Sequence, residues 1–349
     1  MAERKAALIG EQNSASLNDA YEPPFHMTDE ITNLVIEIGE LVGRLSVDPT
    51  LSLTPKLRKE TRIRSIYSSL AIEQNTLSLD QVTDVIEGRR VLGPPDDIQE
   101  VKNALNVYRQ MNSMDPCSME DLKEAHRLMM QGLIDEAGTF RSGNVGVFSN
   151  GQMIHKGAPP ELVPILMEQL LRWLRNAPAH PLIKSCVFHY EFEIIHPFAD
   201  GNGRIGRFWQ TLILQQWQPL LAWIPVESLI HERQGDYYSA LNHAGQHNDA
   251  TVFIAFILHL ISEALRDICN HQLSHVGRND GINVGINNKN PAETVLMILK
   301  EQPHATARGL SGMTHLSSRQ IERILSSLKQ NGRIIRHGAN KGGYWEVIH

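Results

Sequence analysis

The sequence predicts a mainly α-helical protein with one β-hairpin and a C-terminal winged helix-turn-helix. Apolar residues recur at helical spacing through most of the 349 residues, whereas strand-like alternation is rare. The exception is residues 140–155, where the pair Asn150-Gly151 between short apolar runs is a strong signal for a hairpin turn. Near the C-terminus, three short helical patterns precede two short strands around the Gly-rich loop 338–343, which is the order of a winged helix-turn-helix.

Helices follow one another along most of the chain. The first is expected to begin after Thr28, whose hydroxyl can cap a helix, because apolar residues recur from Ile31 to Val42 at helical spacing. The same spacing predicts helices over residues 58–73, 99–111, 118–132, 161–176, 183–195, 208–216 and 236–265. In the C-terminal unit it predicts helices over residues 291–299 and 307–313, and a third that begins at a capping box formed by Ser317 and Gln320.

We expect five segments along the chain. Residues 1–27 are polar and contain two adjacent prolines, so they are interpreted as a flexible arm. Residues 28–115 form an N-terminal helical region, and residues 116–268 a second helical region that contains the hairpin. Residues 269–289 are rich in Asn and Gly and are interpreted as a linker to the winged unit, residues 290–349.

Composition excludes several classes of protein. The net charge of −6 argues against a generally basic surface. The three cysteines, Cys117, Cys186 and Cys269, are widely spaced and form no CxxC pair, which argues against a disulfide framework or a thiolate zinc site and favours the cytoplasm. No apolar run is long enough for a signal peptide core or a membrane span, so we expect a soluble protein with no membrane partner.

The densest group of chemically active residues is HPFADGNGRIGR, residues 196–207. The triplet at 201–203, Gly-Asn-Gly, lets the backbone adopt positive φ, so that successive N–H groups can converge on an anion. The triplet opens onto a predicted helix, whose N-terminal dipole also favours phosphate. Arg204 and Arg207 share a face of that helix and can hold two adjacent phosphates.

Two residues ahead of the triplet carry complementary chemistry. Asp200 is a hard ligand suited to Mg²⁺, which commonly bridges a carboxylate and phosphates. His196 has an unperturbed pKa suited to a general base. Each residue alone has an ordinary structural interpretation, such as a buried histidine or a solvated arginine. In combination they supply the positioning and charge stabilisation that phosphoryl-type transfer requires.

The segment at 196–207 resembles the Fic family signature, His-x-Phe-x-Asp/Glu-Gly-Asn-Gly-Arg-x-x-Arg, at every specified position, and the resemblance covers roughly residues 28–349. It implies a helical Fic fold with its catalytic domain at 116–268, and AMP transfer from ATP to Ser, Thr or Tyr hydroxyls. By this resemblance His196 deprotonates the target hydroxyl and Asp200 binds Mg²⁺. The implied ATP-binding residues are Gly201, Asn202, Gly203, Arg204, Gly206, Arg207, and for the adenine Tyr238 and Asn242, the last two of which are equally interpreted as ordinary helix residues.

The hairpin and an upstream helix add two expectations from the same resemblance. The hairpin at residues 143–155 is similar to the flap on which a target protein's backbone docks by strand addition. Residues Ser69 and Glu73 resemble the Fic inhibitory motif, Ser/Thr-x-x-x-Glu-Gly/Asn, although Gln74 stands where Gly or Asn is expected. A Glu73 carboxylate paired with Arg207 would occupy the partner of the γ-phosphate and restrain transfer. Otherwise Glu73 is a solvated surface residue. Fic proteins are often dimeric, which makes a homodimer a further expectation.

Two points of function stay open: the role of the C-terminal unit and the group that is transferred. Residues 290–349 are a candidate DNA-binding unit, because basic residues lie on its third helix and around its wing, namely Arg319, Arg323, Arg333, Arg336, His337 and Lys341. A winged helix also serves as a protein-docking or dimer surface. Other Fic relatives remove AMP or transfer other phosphate-containing groups, so the transferred group is the second open point.

Overall fold

A computed structural model describes residues 21–47, 55–149, 152–273, 295–296, 298–300, 302–314, 318–338 and 344–348, some of them, including 147–149 and 152–156, by their backbone alone. The chain divides into two compact units, Met1–Asn279 and Asp280–His349. The described elements are helical apart from two short two-stranded antiparallel sheets. The predicted mainly helical class with a β-hairpin is therefore confirmed.

The first unit contains eleven described α-helices, one hairpin and three short 3₁₀ helices, Met111–Ser113, Pro160–Leu162 and Pro219–Trp223. The helices are α1 Asp29–Val47, α2 Pro55–Ile72, α3 Leu79–Ile86, α4 Pro95–Gln110, α5 Met119–Met129, α6 Val163–Asn176, α7 Pro181–Ile195, α8 Asn202–Trp217, α9 Val226–Glu232, α10 Gln234–His247 and α11 Thr251–Leu273. The hairpin strands are β1 Gly146–Ser149 and β2 Gln152–Lys156, between α5 and α6.

Helix α7 is the central helix of this unit. Pro181 at its first position has the φ that a helix needs, and the ring of His180 accepts a hydrogen bond from the Leu182 N–H at 3.2 Å. Almost every later residue of α7 is buried, including Phe188 and Phe192, as expected of a helix enclosed on all sides. Helix α8 packs against it most extensively. The two helices that flank residues 196–201 are thereby fixed by the core.

The hairpin pairs Gly146 with Lys156 and Ser149 with Gln152, with a register shift between Val147 and Phe148. The predicted turn at Asn150-Gly151 lies outside the described residues.

Two sequence expectations need correction in this unit. The single helix expected over 236–265 is two helices, because Asn248 adopts a left-handed conformation (φ 51°) and Asp249 accepts the Thr251 N–H at 2.8 Å, which caps α11. Helices α3 and α9 were not predicted, although the capping box of α3, formed by Ser78 and Gln81, is visible in the sequence.

The described part of the predicted arm, residues 21–27, makes hydrogen bonds to the helical core. Tyr21 donates a hydrogen bond to Glu191 at 2.5 Å, and the Ala250 N–H donates to the Pro24 carbonyl at 2.9 Å. The His26 N–H donates to the Thr251 hydroxyl at 2.8 Å. Residues 21–27 are therefore attached to the helical core.

The second unit has its own small core. Its described elements are α12 Ala307–Thr314, α13 Ser318–Gln330, β3 Ile334–His337 and β4 Tyr344–Val347, preceded by helical residues at 295–296 and 298–300. Strands β3 and β4 pair antiparallel. Its buried apolar residues are Val295, Leu296, Leu299, Leu310, Ile321, Leu325, Leu328 and Ile334. The Gly-rich tip at 339–343 and most of the linker lie outside the described residues.

Among the described residues, no helix combines the length and apolar character needed to cross a membrane.

Candidate active site

His196 ends α7 in a left-handed conformation, with φ 52° and ψ 63°. Its N–H still donates to the Phe192 carbonyl at 2.8 Å, so the chain turns sharply only after the last helical hydrogen bond. The imidazole Nδ1 lies 3.4 Å from the backbone oxygen of Glu193 and 3.9 Å from its carboxylate. The side chain is 16% exposed, so the ring is partly accessible.

The loop between α7 and α8 is closed by Asn202. Its side-chain oxygen accepts the Phe198 N–H at 2.9 Å, and its side-chain nitrogen donates to the Phe198 carbonyl at 2.9 Å. Gly201 has φ 79°, and a Cβ at this position would lie 2.6 Å from the sulfur of Met130. The glycine is therefore required both by its conformation and by the lack of space.

His126 of α5 contacts the same loop through its ring. Its ring stacks on Phe198 with the centroids 3.7 Å apart. Because Nδ1 accepts the Gly138 N–H at 2.8 Å, the proton lies on Nε2, which donates to the Asp200 carbonyl at 2.9 Å. Burial lowers the pKa of His126 to about 4 despite this hydrogen bond. The ring is neutral at physiological pH and acts as a fixed donor.

Asp200 is the exposed carboxylate of the loop, with 60% of its side chain accessible. Its Oδ1 accepts the Gly201 N–H at 2.6 Å, and its Oδ2 lies 3.2 Å from a terminal nitrogen of Arg204. Within the described residues, no group of three or more His, Cys, Asp and Glu side chains forms a metal site by itself.

Arg207 is 2% exposed and is held by the upstream motif. One terminal nitrogen donates to Glu73 at 2.7 Å and to the Ser69 carbonyl at 2.9 Å, and Nε donates to the Ser69 hydroxyl at 3.1 Å. Burial alone would lower the pKa of Arg207, but attraction to Glu73, together with Tyr237 and Glu193, raises it above its ordinary value. The predicted pairing of Glu73 with Arg207 is therefore present in the structure.

The turn after α2 explains the unusual residue in the upstream motif. Gln74 has φ 69°, a left-handed conformation that glycine and asparagine adopt most readily. The N–H groups of Gln74 and Asn75 donate to Ala71 and Leu70 at 3.0 and 3.1 Å, which closes the turn behind Glu73. The Gly or Asn expected at position 74 therefore reflects backbone geometry, and Gln74 adopts it at a cost of about 1 kcal/mol.

Arg204 has a second acidic partner that the sequence did not indicate. One of its terminal nitrogens donates to Glu100 of α4 at 2.6 Å, and Asn75 donates to the other oxygen of Glu100 at 2.7 Å. The Arg204 side chain is only 4% exposed. The turn that carries Glu73 is thus linked through Asn75 and Glu100 to the second arginine of the motif.

Glu193 is a buried carboxylic acid between the histidine and the arginine. Its Oε1 has no hydrogen-bond partner in the described part of the chain, and its carboxylate lies 3.9 Å from both His189 and His196. Burial raises the pKa of Glu193 to about 7, although Arg207 opposes the shift. His189 itself donates to or accepts from Gln210 at 2.7 Å, and burial lowers the pKa of His189 to about 3.

The remaining predicted ATP-binding residues lie on α8 and α10. A Cβ at Gly203 would meet the Glu73 carboxylate, and one at Gly206 would lie 3.0 Å from Glu193. The glycine at 206 is therefore explained by helix packing, without an ATP contact. Tyr238 is partly buried, and burial together with the Glu73 charge raises its pKa. Asn242 accepts a hydrogen bond from Gln246 at 3.3 Å.

Sequence reasoning missed Arg141, His126, Glu193 and Glu100. Arg141 is 3% exposed, lies just ahead of the hairpin, and donates to the backbone carbonyls of His196 and Gly143. Glu193 and His126 each interrupt the apolar face of a predicted helix, which was a usable signal for a buried polar role. Nothing local distinguishes Glu100 from the other acidic residues of α4, because its partner lies 104 positions away.

Known proteins resemble this chain in sequence and in fold. The Fic/DOC family model matches residues 116–214. A protein adenylyltransferase Fic from Aedes aegypti is 31% identical over 61% of this chain and 42% of its own length. A protein of the same name from Nematostella vectensis is 30% identical over 63% of this chain and 52% of its own length. The chain thus spans about half the length of these curated relatives.

Two solved structures extend the comparison. The crystal structure of a Fic family protein from Desulfovibrio desulfuricans G20 is 43% identical, has a TM-score of 0.70, and covers 94% of this chain and 98% of its own. Residues 134–508 of Fic-1 from Caenorhabditis elegans have a TM-score of 0.57 at 21% identity, over 70% of this chain and 73% of that one. The second likeness concerns the fold alone.

Proposed function

The chain belongs to the Fic/DOC family, and we propose on that premise that it is a protein adenylyltransferase, which transfers the AMP part of ATP to a Ser, Thr or Tyr hydroxyl of a target protein. One observation carries the proposal. A partly exposed histidine, an exposed carboxylate and two buried arginines lie around the N-terminus of α8, at His196, Asp200, Arg204 and Arg207.

The start of α8 supports binding of the ATP phosphates. A helix of 16 residues directs its first N–H groups and its positive dipole end toward the loop at 196–201. Because the Asn202 side chain is already bonded to Phe198, its proposed contribution is its backbone N–H together with that of Gly203. Arg204 and Arg207 hold the outer phosphates, and Tyr238 and Asn242 are the proposed adenine contacts one helix away.

His196 is the proposed general base. In the step, the target hydroxyl oxygen attacks the α-phosphorus of ATP, the bond from that phosphorus to the β-phosphate oxygen breaks, and pyrophosphate leaves. With Nδ1 facing the Glu193 backbone oxygen at 3.4 Å, Nε2 is the nitrogen that accepts the hydroxyl proton. The target docks along the hairpin at residues 143–155.

Asp200 fits a magnesium ion that arrives with the nucleotide. Mg²⁺ commonly takes one or two protein carboxylates and completes its shell with phosphate oxygens and water, so one exposed carboxylate beside the phosphate site is sufficient. When bound, the ion would neutralise charge on the phosphates. Asp200 Oδ1 already accepts the Gly201 N–H, which fixes the orientation of the carboxylate.

Glu73 is the proposed inhibitor of this site. Its carboxylate occupies the guanidinium of Arg207, and a Cβ at Gly203 would meet it, so it lies against the first turn of the phosphate-binding helix. The γ-phosphate of ATP needs the same guanidinium. Wild-type protein is therefore restrained, and removal of Glu73 frees the partner of the γ-phosphate.

The transferred group is the point to test. The Glu73→Gly variant is incubated with ATP and Mg²⁺ in a cell extract, and labelled proteins are analysed by mass spectrometry. We expect a mass gain equal to AMP on a hydroxyl side chain. A gain equal to phosphate, or no gain with ATP bound, would overturn the proposal. Glu124→Gln is the matched control, because Glu124 is an exposed acid that pairs with Arg127 on its own helix, and its loss should leave labelling at the wild-type level.

The second unit is a proposed winged helix that binds duplex DNA through α13. Arg323 is exposed on α13, and Arg336 of β3 lies over the ring of Trp345 at 4.8 Å, where it can face a phosphate backbone. Arg319, His337 and Lys341 are the other proposed contacts. A gel shift that weakens steeply with salt supports this, and the absence of any shift, or a salt-independent one, would contradict it.

The proposed setting of this activity is the cytoplasm. Cys117, Cys186 and Cys269 are free thiols, which suits a reducing compartment.

A further inference from the structure

Arg141 connects the catalytic loop to the hairpin. Its Nε donates to the His196 carbonyl at 2.6 Å, and one terminal nitrogen donates to the Gly143 carbonyl at 2.7 Å. The other terminal nitrogen donates to the carbonyls of Ala158, in a short contact, and Ile195, at 3.3 Å. One guanidinium thus binds Gly143 ahead of β1, Ala158 behind β2, and the end of α7.

Main-chain contacts strengthen the same connection. The Arg141 N–H donates to the Pro197 carbonyl at 3.0 Å, and the Ala158 N–H donates to the Ile195 carbonyl at 3.2 Å. A Cβ at Gly157 would lie 2.9 Å from the Arg141 guanidinium and 3.2 Å from the Cβ of His196. The base of the hairpin, Arg141 and the catalytic histidine are therefore in direct contact.

Burying the Arg141 guanidinium carries a large desolvation cost. Arg141 is 3% exposed, and all four of its side-chain acceptors are backbone carbonyl oxygens. Burial lowers the pKa of Arg141, with a partial offset from Glu161. A buried cation is tolerated only when its donors are satisfied, and these acceptors are fixed points of the main chain. The guanidinium therefore sets the relative position of the segments it binds.

That position matters for the proposed reaction. The hydroxyl to be modified belongs to a chain docked on β1–β2, whereas the base that removes its proton ends α7. Misplacement by about 1 Å between reacting groups can cost about 100-fold in rate. The left-handed conformation of His196 turns its carbonyl toward Arg141. By binding this carbonyl, the guanidinium also stabilises the backbone conformation that presents the imidazole.

We propose that Arg141 is a positioning residue that fixes the distance between the hairpin and the His196 imidazole, and thereby between the docked target and the general base. The inference rests on the proposed function and assigns Arg141 a role in the turnover step, with none in ATP binding.

The test uses Arg141→Ala and Arg141→Lys in the Glu73→Gly chain, with Arg172→Ala as the control, since Arg172 is an exposed arginine paired with Glu168 on α6. Transfer is followed with α-labelled ATP on acceptor proteins of a cell extract. We expect Arg141→Ala to lower the transfer rate about 100-fold, with ATP affinity within about 3-fold of the parent. Added guanidinium ion should restore part of the rate to Arg141→Ala and none to His196→Ala.

A second measurement does not require transfer. Hydrogen exchange should accelerate together at residues 143–158 and 195–202 in folded Arg141→Ala, and guanidinium ion should reverse both changes. Acceleration confined to the hairpin, or an equal loss of ATP affinity and rate, would overturn the inference. If the parent chain transfers no AMP at all, the proposed function fails, and the exchange result alone decides whether Arg141 couples the two segments.

Discussion

The arginines at the start of α8 and the histidine at the end of α7 belong to one motif, yet different kinds of contact hold them. Arg204 and Arg207 each pair with a carboxylate, Glu100 at 2.6 Å and Glu73 at 2.7 Å, and Arg207 also donates to the carbonyl and the hydroxyl of Ser69. His196 and its loop are held by hydrogen bonds to backbone groups. A phosphate can replace a carboxylate partner without unfolding the chain, whereas the backbone contacts have no such competitor.

This difference separates a phosphate side, Arg204 and Arg207 with their acidic partners, from a proton side, His196 with Arg141 and His126. We therefore expect the acidic partners to restrain ATP without disturbing His196, and the loss of His196 to leave ATP binding intact. We therefore propose that inhibition acts on the phosphate side alone.

The largest expected effect concerns the proton side. His196→Ala in the Glu73→Gly chain should lower AMP transfer by about 100- to 10,000-fold, because the proposed general base is lost. ATP affinity should stay within about 2-fold, since the loop contacts of Asn202 remain. Parallel rate and ATP-binding measurements check this. A matching loss of ATP affinity would show that the two sides are not separable.

The next effect concerns the phosphate side. Glu73→Gly should raise transfer by about 10-fold or more, because it frees the Arg207 guanidinium. Glu100→Gln should raise it less, by a few-fold at most, since Arg204 keeps Asp200 at 3.2 Å. Because Asn75 links the Glu73 turn to Glu100, the double variant should deviate from the product of the single effects. A larger effect of Glu100→Gln than of Glu73→Gly would reverse the assigned order.

The ends of α7 and α8 show how far the sequence reached. The spacing of residues 196–207 predicts a phosphate site, which stays a prediction, whereas the pairing of Glu73 with Arg207, expected from charge and from the family resemblance, is present in the structure. The division of residues 234–273 into two helices was not predicted. Apolar residues recur at helical spacing on both sides of Asn248, whose left-handed conformation breaks the helix. Arg141 was missed since its acceptors are carbonyl oxygens up to 55 positions away, and carbonyls leave no residue-specific signal.

A smaller effect tests the carboxyl between the two sides. Burial raises the pKa of Glu193 to about 7 from 4.5, so its stabilising neutral form is fully present below pH 4.5 and is lost as the pH rises through 7. Glutamine does not titrate, so Glu193→Gln does not lose this stabilisation. The unfolding free energy of the variant relative to wild type should therefore rise by about 1–3 kcal/mol between pH 4.5 and 8. Denaturant titrations at both pH values check this.

The same titration also relates Glu193 to its neighbours. The Glu73 charge contributes to the raised pKa of Glu193, whereas Arg207 opposes it. In the Glu73→Gly chain the pH window should therefore move to lower pH. An unchanged difference between Glu193→Gln and its parent across the pH range would remove Glu193 from this network.

The smallest effect concerns the turn behind Glu73. Gln74→Gly should stabilise the chain by about 0.5–1 kcal/mol, because Gln74 has φ 69° and glycine accepts that conformation without strain. Gln169→Gly, in the interior of α6, is the control and should destabilise by a similar amount. Thermal unfolding of both variants measures the contrast. Stabilisation should also lower transfer slightly, since the turn holds Glu73 against Arg207.

The most direct measurement is the ratio of the dissociation constants of ADP and ATP in wild type and in Glu73→Gly. If Glu73 occupies the partner of the γ-phosphate, wild-type protein should bind ADP and ATP with nearly equal affinity. Freed Arg207 should then make ATP bind about 10-fold or more tightly than ADP in Glu73→Gly, as expected of a charge-assisted hydrogen bond. The same ratio in both proteins would contradict the assignment of inhibition to the Glu73–Arg207 pair.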